Sequence, residues 1–186
     1  MLFRSRRTPA GAQLDTVGRP PAGVRLRVVS LDTGEPLPAG QPGEVQAQSD
    51  SVMAEYLPSK NTAAAFDDGW YRTGDVGYLD DDGYLRITDR AKEMIKVRGF
   101  QVAPAEVERV LLGHHAVADC AVFGIPDVTD GEAVVAAVAT RSDVDAAKLV
   151  ALVDNSLARY KRPRDIVFVE EIPRLPSGKV LRRVLR

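Results

Sequence analysis

The sequence predicts an α+β protein in two parts, a β-rich piece to about Thr88 and a mixed piece after it. Three observations predict this. Short segments of alternating polarity, separated by turn residues, fill the first part as half-buried strands do. Two near-continuous apolar runs, Val117 to Ile125 and Ala133 to Ala139, read as buried strands in the second. Segments with apolar residues at helical spacing flank those runs.

The elements follow in order. Residues 1–23 are rich in Gly, Pro and Arg, lack periodicity and are expected to be loop. Val24 to Val29 alternates as a strand, Asp32 to Pro38 is turn chemistry, and Gly43 to Gln48 returns as its partner. Asn61 to Phe66 reads as a helical turn entered after Pro58. Val76 to Leu79 and Tyr84 to Thr88 flank Asp80-Asp81-Asp82-Gly83, a hairpin signal. That acidic run lacks the spacing and closing Glu of an EF-hand and is a turn, not a calcium loop. Met94 to Val97 and Phe100 to Ala103 bracket a tight turn at Arg98-Gly99.

Pro104 opens a helix at its first position, with Glu106 and Glu108 where the helix dipole favours acids. Val107, Val110 and Leu111 give it an apolar face. Ser142 or Asp143 is expected to cap a second helix through about Arg159, with Leu149, Leu152, Val153 and Leu157 on one face and Pro163 as its stop. Ile166 to Val169 is a last strand, Pro173 to Gly178 a loop, and Val180 to Arg186 the start of a helix. The mixed piece has enough residues to bury its own core, whereas the sheet edges of the first look made for a further partner.

Composition excludes several classes. The 186 residues suit one domain or two small ones, and 45% hydrophobic with 27% charged residues is neither disordered nor collagenous. No apolar run reaches the roughly 18 residues of a membrane span. The arginine-rich start lacks the apolar core of a secretory signal, and the single Cys120 forbids an internal disulfide, so a cytoplasmic protein is expected. One Cys and two His make a structural zinc site implausible. From Ser156 onward nine basic residues face three acidic ones, which suits an anionic ligand or, as charge runs more often do, an ordinary solvated face. Aromatics are not interleaved with those basics, which argues against nucleic acid.

Four segments carry potential chemistry. In Gly69-Trp70-Tyr71-Arg72-Thr73-Gly74-Asp75, the carboxylate beside Gly74 suits a vicinal diol such as ribose; a capped turn is the alternative. Thr88 to Glu93 is charged where the texture changes, as in a solvated linker or a hinge. Across the Gly99 turn, Lys96 and Gln101 could share a ribbon and hold a phosphate or oxyanion, or be a solvated polar pair. Pro173 to Arg182 contains Gly178-Lys179, but Pro173 and Val180 stand where a P-loop needs Gly and Ser or Thr. A mobile loop offering Lys179 to a phosphate remains, beside a plain surface lysine at a helix start.

Taken together, YRTGD, then DRxKExIKxxGFQVAPAEVE, then PxxxxGKxxR resemble the C-terminal portion of AMP-forming acyl-CoA synthetases. That adenylate-forming superfamily includes fatty-acid–CoA ligases, 4-coumarate–CoA ligases and luciferases. The resemblance covers about residues 16–186. It implies a small C-terminal lid domain, a β-hairpin plus a three-stranded sheet with helices, preceded by the β-rich end of a large N-terminal domain. The implied boundaries are 1–88 for that remnant of the large AMP-binding domain, 89–92 for a hinge centred on Lys92, and 93–186 for the C-terminal domain.

The resemblance also implies roles. Asp75 and Arg90 match nucleotide-binding residues at the ribose of ATP or AMP. Lys179 matches the lysine of adenylation, and Lys96 and Gln101 match catalytic-loop residues of thioester formation. Arg98, Gly99 and Phe100 fall in the loop facing CoA. The implied cofactors are ATP/AMP, CoA and Mg2+, and the implied partners a small carboxylic acid, fatty or aromatic, and the large N-terminal domain. The ATP-phosphate loop, adenine pocket and acyl tunnel are implied upstream of these residues, so the chain alone is expected to be inactive in adenylation. The alternative is a non-catalytic CoA- or nucleotide-binding, or regulatory, module derived from such an enzyme.

Overall fold

A computed structural model describes residues 16–55 and 62–185. The expected loop over residues 1–15 and the approach from Pro58 lie outside the described residues. The chain divides into two compact units, Met1–Lys92 and Glu93–Arg186.

The first unit is a five-stranded antiparallel sheet. Strands β1 (Arg25–Val29), β2 (Gly43–Gln48), β3 (Phe66–Asp67), β4 (Trp70–Leu79) and β5 (Leu85–Arg90) run in the order β1-β2-β4-β3, with β5 also on β4. A one-turn helix, α1 (Thr62–Ala65), precedes β3. The sequence reading carried that turn through Phe66 and missed β3, because two residues give no readable period. The β4–β5 ladder is irregular between Val76 and Gly77. At Gly77 a Cβ would lie 2.2 Å from the Arg86 carbonyl oxygen, so only glycine permits that approach. Six apolar residues are buried among those described: Val28, Val29, Val45, Ala47, Val76 and Leu85. Glu44 and Gln46 are buried beside them and satisfied by Arg72 (2.8 Å) and Arg27 (2.7 Å).

The second unit is a mixed sheet flanked by helices. Strands β6 (Ile95–Val97) and β7 (Phe100–Val102) form a hairpin. Strands β8 (Val117–Asp127) and β9 (Gly131–Thr140) form a longer one, and β10 (Asp165–Phe168) runs parallel to β9. The short hairpin joins the sheet where Val97 meets Gly131, so the expected hairpin and three-stranded sheet are one sheet of five strands. Helices α2 (Pro104–Leu112) and α3 (Ala146–Ser156) complete it.

Alternation along β8 explains its near-continuous apolar run. Cys120 and Val122 face a core with Val107, Leu111, Leu149 and Val153 of the helices. Ala121 and Phe123 face a second cluster with Ile172, against which Val169, Val180 and Leu185 pack. With both faces covered, neither set of side chains tolerates polarity.

Two sequence expectations need correction. The second helix is capped by Asp145, whose carboxylate accepts from the Ala147 N–H at 2.9 Å, not by Ser142 or Asp143. It ends at Ser156, with Leu157 extended at φ −130°, well before Pro163; Arg159–Lys161 is a separate 3-10 turn. No α-helix begins at Val180: only the 3-10 turn Arg182–Val184 forms, because Val180 bridges back to Arg174.

Candidate functional site

In the first unit, β4 and β5 place Asp75 directly opposite Arg90. Arg90 Nη1 donates to Asp75 Oδ1 at 2.6 Å and to the Thr73 carbonyl at 3.2 Å. The Thr73 hydroxyl donates to the Val45 carbonyl at 2.7 Å and accepts from the Asp75 N–H at 3.1 Å. Asp75 therefore sits within a strand, not in a capped turn, with its backbone fixed from β2. Its side chain is 29% exposed, so the carboxylate is held by one guanidinium and still open to an incoming hydroxyl pair.

In the second unit, the β6–β7 hairpin sets Lys96 directly across from Gln101. Ile95 and Val97 point into the core, so Lys96 between them points to solvent. Its N–H donates to Glu132 Oε2 at 2.7 Å. Arg98 and Gly99 both have positive φ, +52° and +82°, the backbone of a tight two-residue hairpin turn. Arg98 is held there from two directions. Its N–H donates to the Asp130 carbonyl at 2.8 Å, and its Nε to Asp130 Oδ1 at 2.6 Å.

The Asp130 carboxylate also raises the pKa of the Arg98 guanidinium. Arg164 continues the ladder, pairing with Asp127 and reaching Asp130 at 3.6 Å. Its guanidinium, with the Asp130 and Thr129 N–H groups, holds the Asp127 carboxyl well below the usual carboxylate range. Phe100 stacks on Tyr160 at 4.5 Å between ring centres. Beside this pair lies a cavity of about 620 Å³ lined by Arg98, Phe100, Arg159, Tyr160, Arg162 and Arg164.

Lys179 lies elsewhere in the same unit, on a closed loop. Arg174 bridges to Val180; the Leu175 N–H donates to the Lys179 carbonyl, and the Leu181 N–H to that of Pro173, both at 2.8 Å. The expected mobile loop is thus a pinned one, since Arg174 grips Asp119 on β8 through Nε and Nη2 at 2.8–3.1 Å. Neither the Lys96 nor the Lys179 ammonium has a hydrogen-bond or ion-pair partner among the described residues.

The structure brings Asp75 to Arg90 and Lys96 to Gln101, but it keeps Lys96 and Lys179 apart. The hairpin tip is tied at Asp127 and Asp130, the loop at Asp119, and the β8 anchors are about 26 Å apart at 3.3 Å per residue. Lys92 lies in a 3-10 turn, Ala91–Glu93, at the boundary between the units.

Sequence reasoning named Arg98 but missed the other arginines of the cavity, Arg159, Arg162 and Arg164, as well as Tyr160 and the pairs Arg174–Asp119 and Arg182–Glu108. The basic run Arg159-Tyr160-Lys161-Arg162-Pro163-Arg164 is a visible signal for those arginines. The pairs join residues 55 and 74 positions apart and leave no local trace. Among the described residues no three His, Cys, Asp or Glu side chains converge as a metal-ligand set.

The AMP-binding enzyme C-terminal domain matches residues 106–179. The chain is 47% identical over 179 residues to 4-coumarate–CoA ligase-like 9 of Oryza sativa subsp. japonica, covering 94% of this chain and 32% of that protein. It is 44% identical over 184 residues to sulfoacetate–CoA ligase of Cupriavidus necator, covering 97% and 36%. ATP-bound MatB from Rhodopseudomonas palustris superposes with a TM-score of 0.88 at 34% identity, over 98% of this chain and 37% of that one. The chain spans about a third of the length of the curated relatives it matches. The chain thus carries an AMP-binding enzyme C-terminal domain; its homologues are 4-coumarate–CoA and acyl-CoA ligases, and its structural neighbours are adenylate-forming enzymes.

Proposed function

We propose that these residues are the alternating part of an AMP-forming acid–CoA ligase. The observation that carries this reading is the pair of lysines, Lys96 and Lys179, presented from opposite ends of one compact unit with no ammonium partner among the described residues. One unit then serves two steps. In the first, the substrate carboxylate attacks the α-phosphorus of ATP, a new P–O bond forms and pyrophosphate leaves. The Lys179 ammonium meets the charge that builds on the α-phosphoryl oxygens. In the second, the CoA thiolate attacks the acyl carbonyl and AMP leaves. Lys96 and Gln101 then face the reacting centre, and Arg98, Gly99 and Phe100 face CoA.

Asp75, fixed by Arg90, accepts from the ribose hydroxyls in both steps. The four arginines around the 620 Å³ cavity suit the phosphates of CoA, and the Phe100–Tyr160 stack offers an aromatic surface beside them. Rotation about Lys92 exchanges the two ends. These residues supply the ribose pair, both lysines and the CoA-facing tip, over about a third of the length of the ligases they match. The 186-residue chain alone is expected to release no pyrophosphate with ATP, magnesium and a panel of fatty and aromatic acids.

The test separates the half-reactions in a full-length ligase carrying these segments. Lys179→Ala is expected to slow acyl-adenylate formation by roughly two to three orders of magnitude and spare transfer from pre-made acyl-AMP to CoA. Lys96→Ala or Gln101→Ala reverses the pattern. Equal loss in both half-reactions from either substitution overturns the reading.

A further inference from the structure

We infer that Arg174 is a positioning residue for Lys179: with Asp119, it fixes the backbone that carries the reactive ammonium. The inference rests on the proposed role of Lys179 in adenylation and adds a residue to it. One guanidinium does three things. Its Nε and Nη2 fork onto both oxygens of Asp119, at 2.8–3.1 Å, tying the loop to β8. Its Nη1 donates to the Gly178 carbonyl at 2.8 Å, the peptide oxygen immediately before Lys179. Its own backbone bridges to Val180, immediately after Lys179. Lys179 is thus bracketed on both sides by one residue, while its carbonyl accepts from Leu175.

Downstream, Arg182 closes the segment. Its Nε donates to the Val122 carbonyl at 2.9 Å and its Nη2 to Glu108 Oε1 at 2.6 Å, while that same Glu108 oxygen accepts from the Val122 N–H at 2.8 Å. The pair therefore satisfies both backbone groups of Val122 on the outer edge of β8, as a neighbouring strand would.

Stability does not account for the Arg174 arrangement. The Arg174 and Asp119 side chains are 41% and 33% exposed, and pairs so open to water contribute little to folding. Such a pair can still set geometry, because a planar fork fixes direction as well as distance. Lysine cannot substitute: one ammonium cannot reach two carboxylate oxygens and the Gly178 carbonyl in that fork. A lysine meant to meet a transferring phosphoryl group gains from such fixing, since misplacement by about 1 Å can cost on the order of a hundredfold in rate.

The test has two arms. In the 186-residue chain, Arg174→Ala should leave circular dichroism unchanged and speed hydrogen exchange at the Leu175 and Leu181 amides by about tenfold or more. In a full-length ligase carrying these segments, Arg174→Ala should lower the rate constant of adenylation by roughly 10- to 100-fold with the KM for ATP little changed. Transfer from pre-made acyl-AMP should be spared, and Arg174→Lys should rescue little of the loss. Combined with Lys179→Ala, Arg174→Ala should add nothing further.

Unchanged exchange, rescue by lysine, or additive losses overturns the inference while Lys179 keeps its role. A Lys179→Ala enzyme with normal adenylation overturns the underlying reading, and the catalytic part of this inference with it. If Arg174→Ala does not fold, Asp119→Asn takes its place in both arms with the same expected pattern.

Discussion

The two lysine-bearing ends of the second unit are built differently, and the difference separates holding from reacting. At the hairpin tip, turn backbone with positive φ is held by a charge ladder, Arg98–Asp130–Arg164–Asp127, beside a wide cavity. At the other end, a closed loop is held through its peptide groups by Arg174 and Arg182, with no strained residue other than glycine at its turn. In both places arginines are tied down by directed bonds, Arg98 and Arg164 at the tip and Arg174 and Arg182 at the loop, while the lysine ammonium has no partner among the described residues. That division follows from the side chains themselves. A guanidinium makes several directed bonds at once, whereas an ammonium is a compact charge that an incoming anion can take whole.

The tip turns on two consecutive residues with positive φ, and Gly99 is where to break it. Nothing lies within 4 Å of a Cβ built at Gly99, so Gly99→Ala meets no clash and only the left-handed backbone, at a cost of about 1–2 kcal/mol. Differential scanning calorimetry of the chain should show a transition several degrees lower, at roughly 4–8 °C per kcal/mol for a domain of this size. In a full-length ligase the thioester step should suffer and adenylation should not. Equal slowing of both would erase the distinction between the ends.

Acid offers a smaller perturbation of the same end. The folded-state pKa of Asp127 lies below its unfolded value of about 3.9, so its contribution is fully present above about pH 4 and is lost as pH falls through the folded value. Hydrogen exchange at the Arg98 amide, which donates to Asp130, should quicken in that acid range after correction for intrinsic rates. Asp127→Asn should remove most of that pH dependence. An unchanged profile in the variant would show that Asp127 does not hold the tip.

What could be read from the sequence divides along the same line. Strands β8 and β9, the turns at Gly83 and Gly99, and the Pro104 helix start rest on local period or local backbone preference, and all stand near their expected positions. Lys96 opposite Gln101 followed from the turn alone. The end of α3 did not. Its apolar spacing continues to Leu157, but Leu157 is extended and Tyr160 stacks on Phe100, a contact sixty residues away in sequence. The closure of the Lys179 loop was hidden for the same reason, since Asp119 and Glu108 hold it from far upstream. Motif spacing pointed to the lysines, and the residues that hold them became visible only with the fold.

The central claim is that one unit brings these two ends to the same reaction in turn, and Lys92→Pro tests it most directly. Lys92 is exposed in the Ala91–Glu93 turn at the unit boundary, and proline fixes φ near −65°. In a full-length ligase carrying these segments, single-turnover rates of both half-reactions should split. One should stay within a few-fold of the parent and the other fall by about a hundredfold or more, with circular dichroism unchanged. A folded Lys92→Pro enzyme that keeps both half-reactions, or loses both equally, contradicts the alternation.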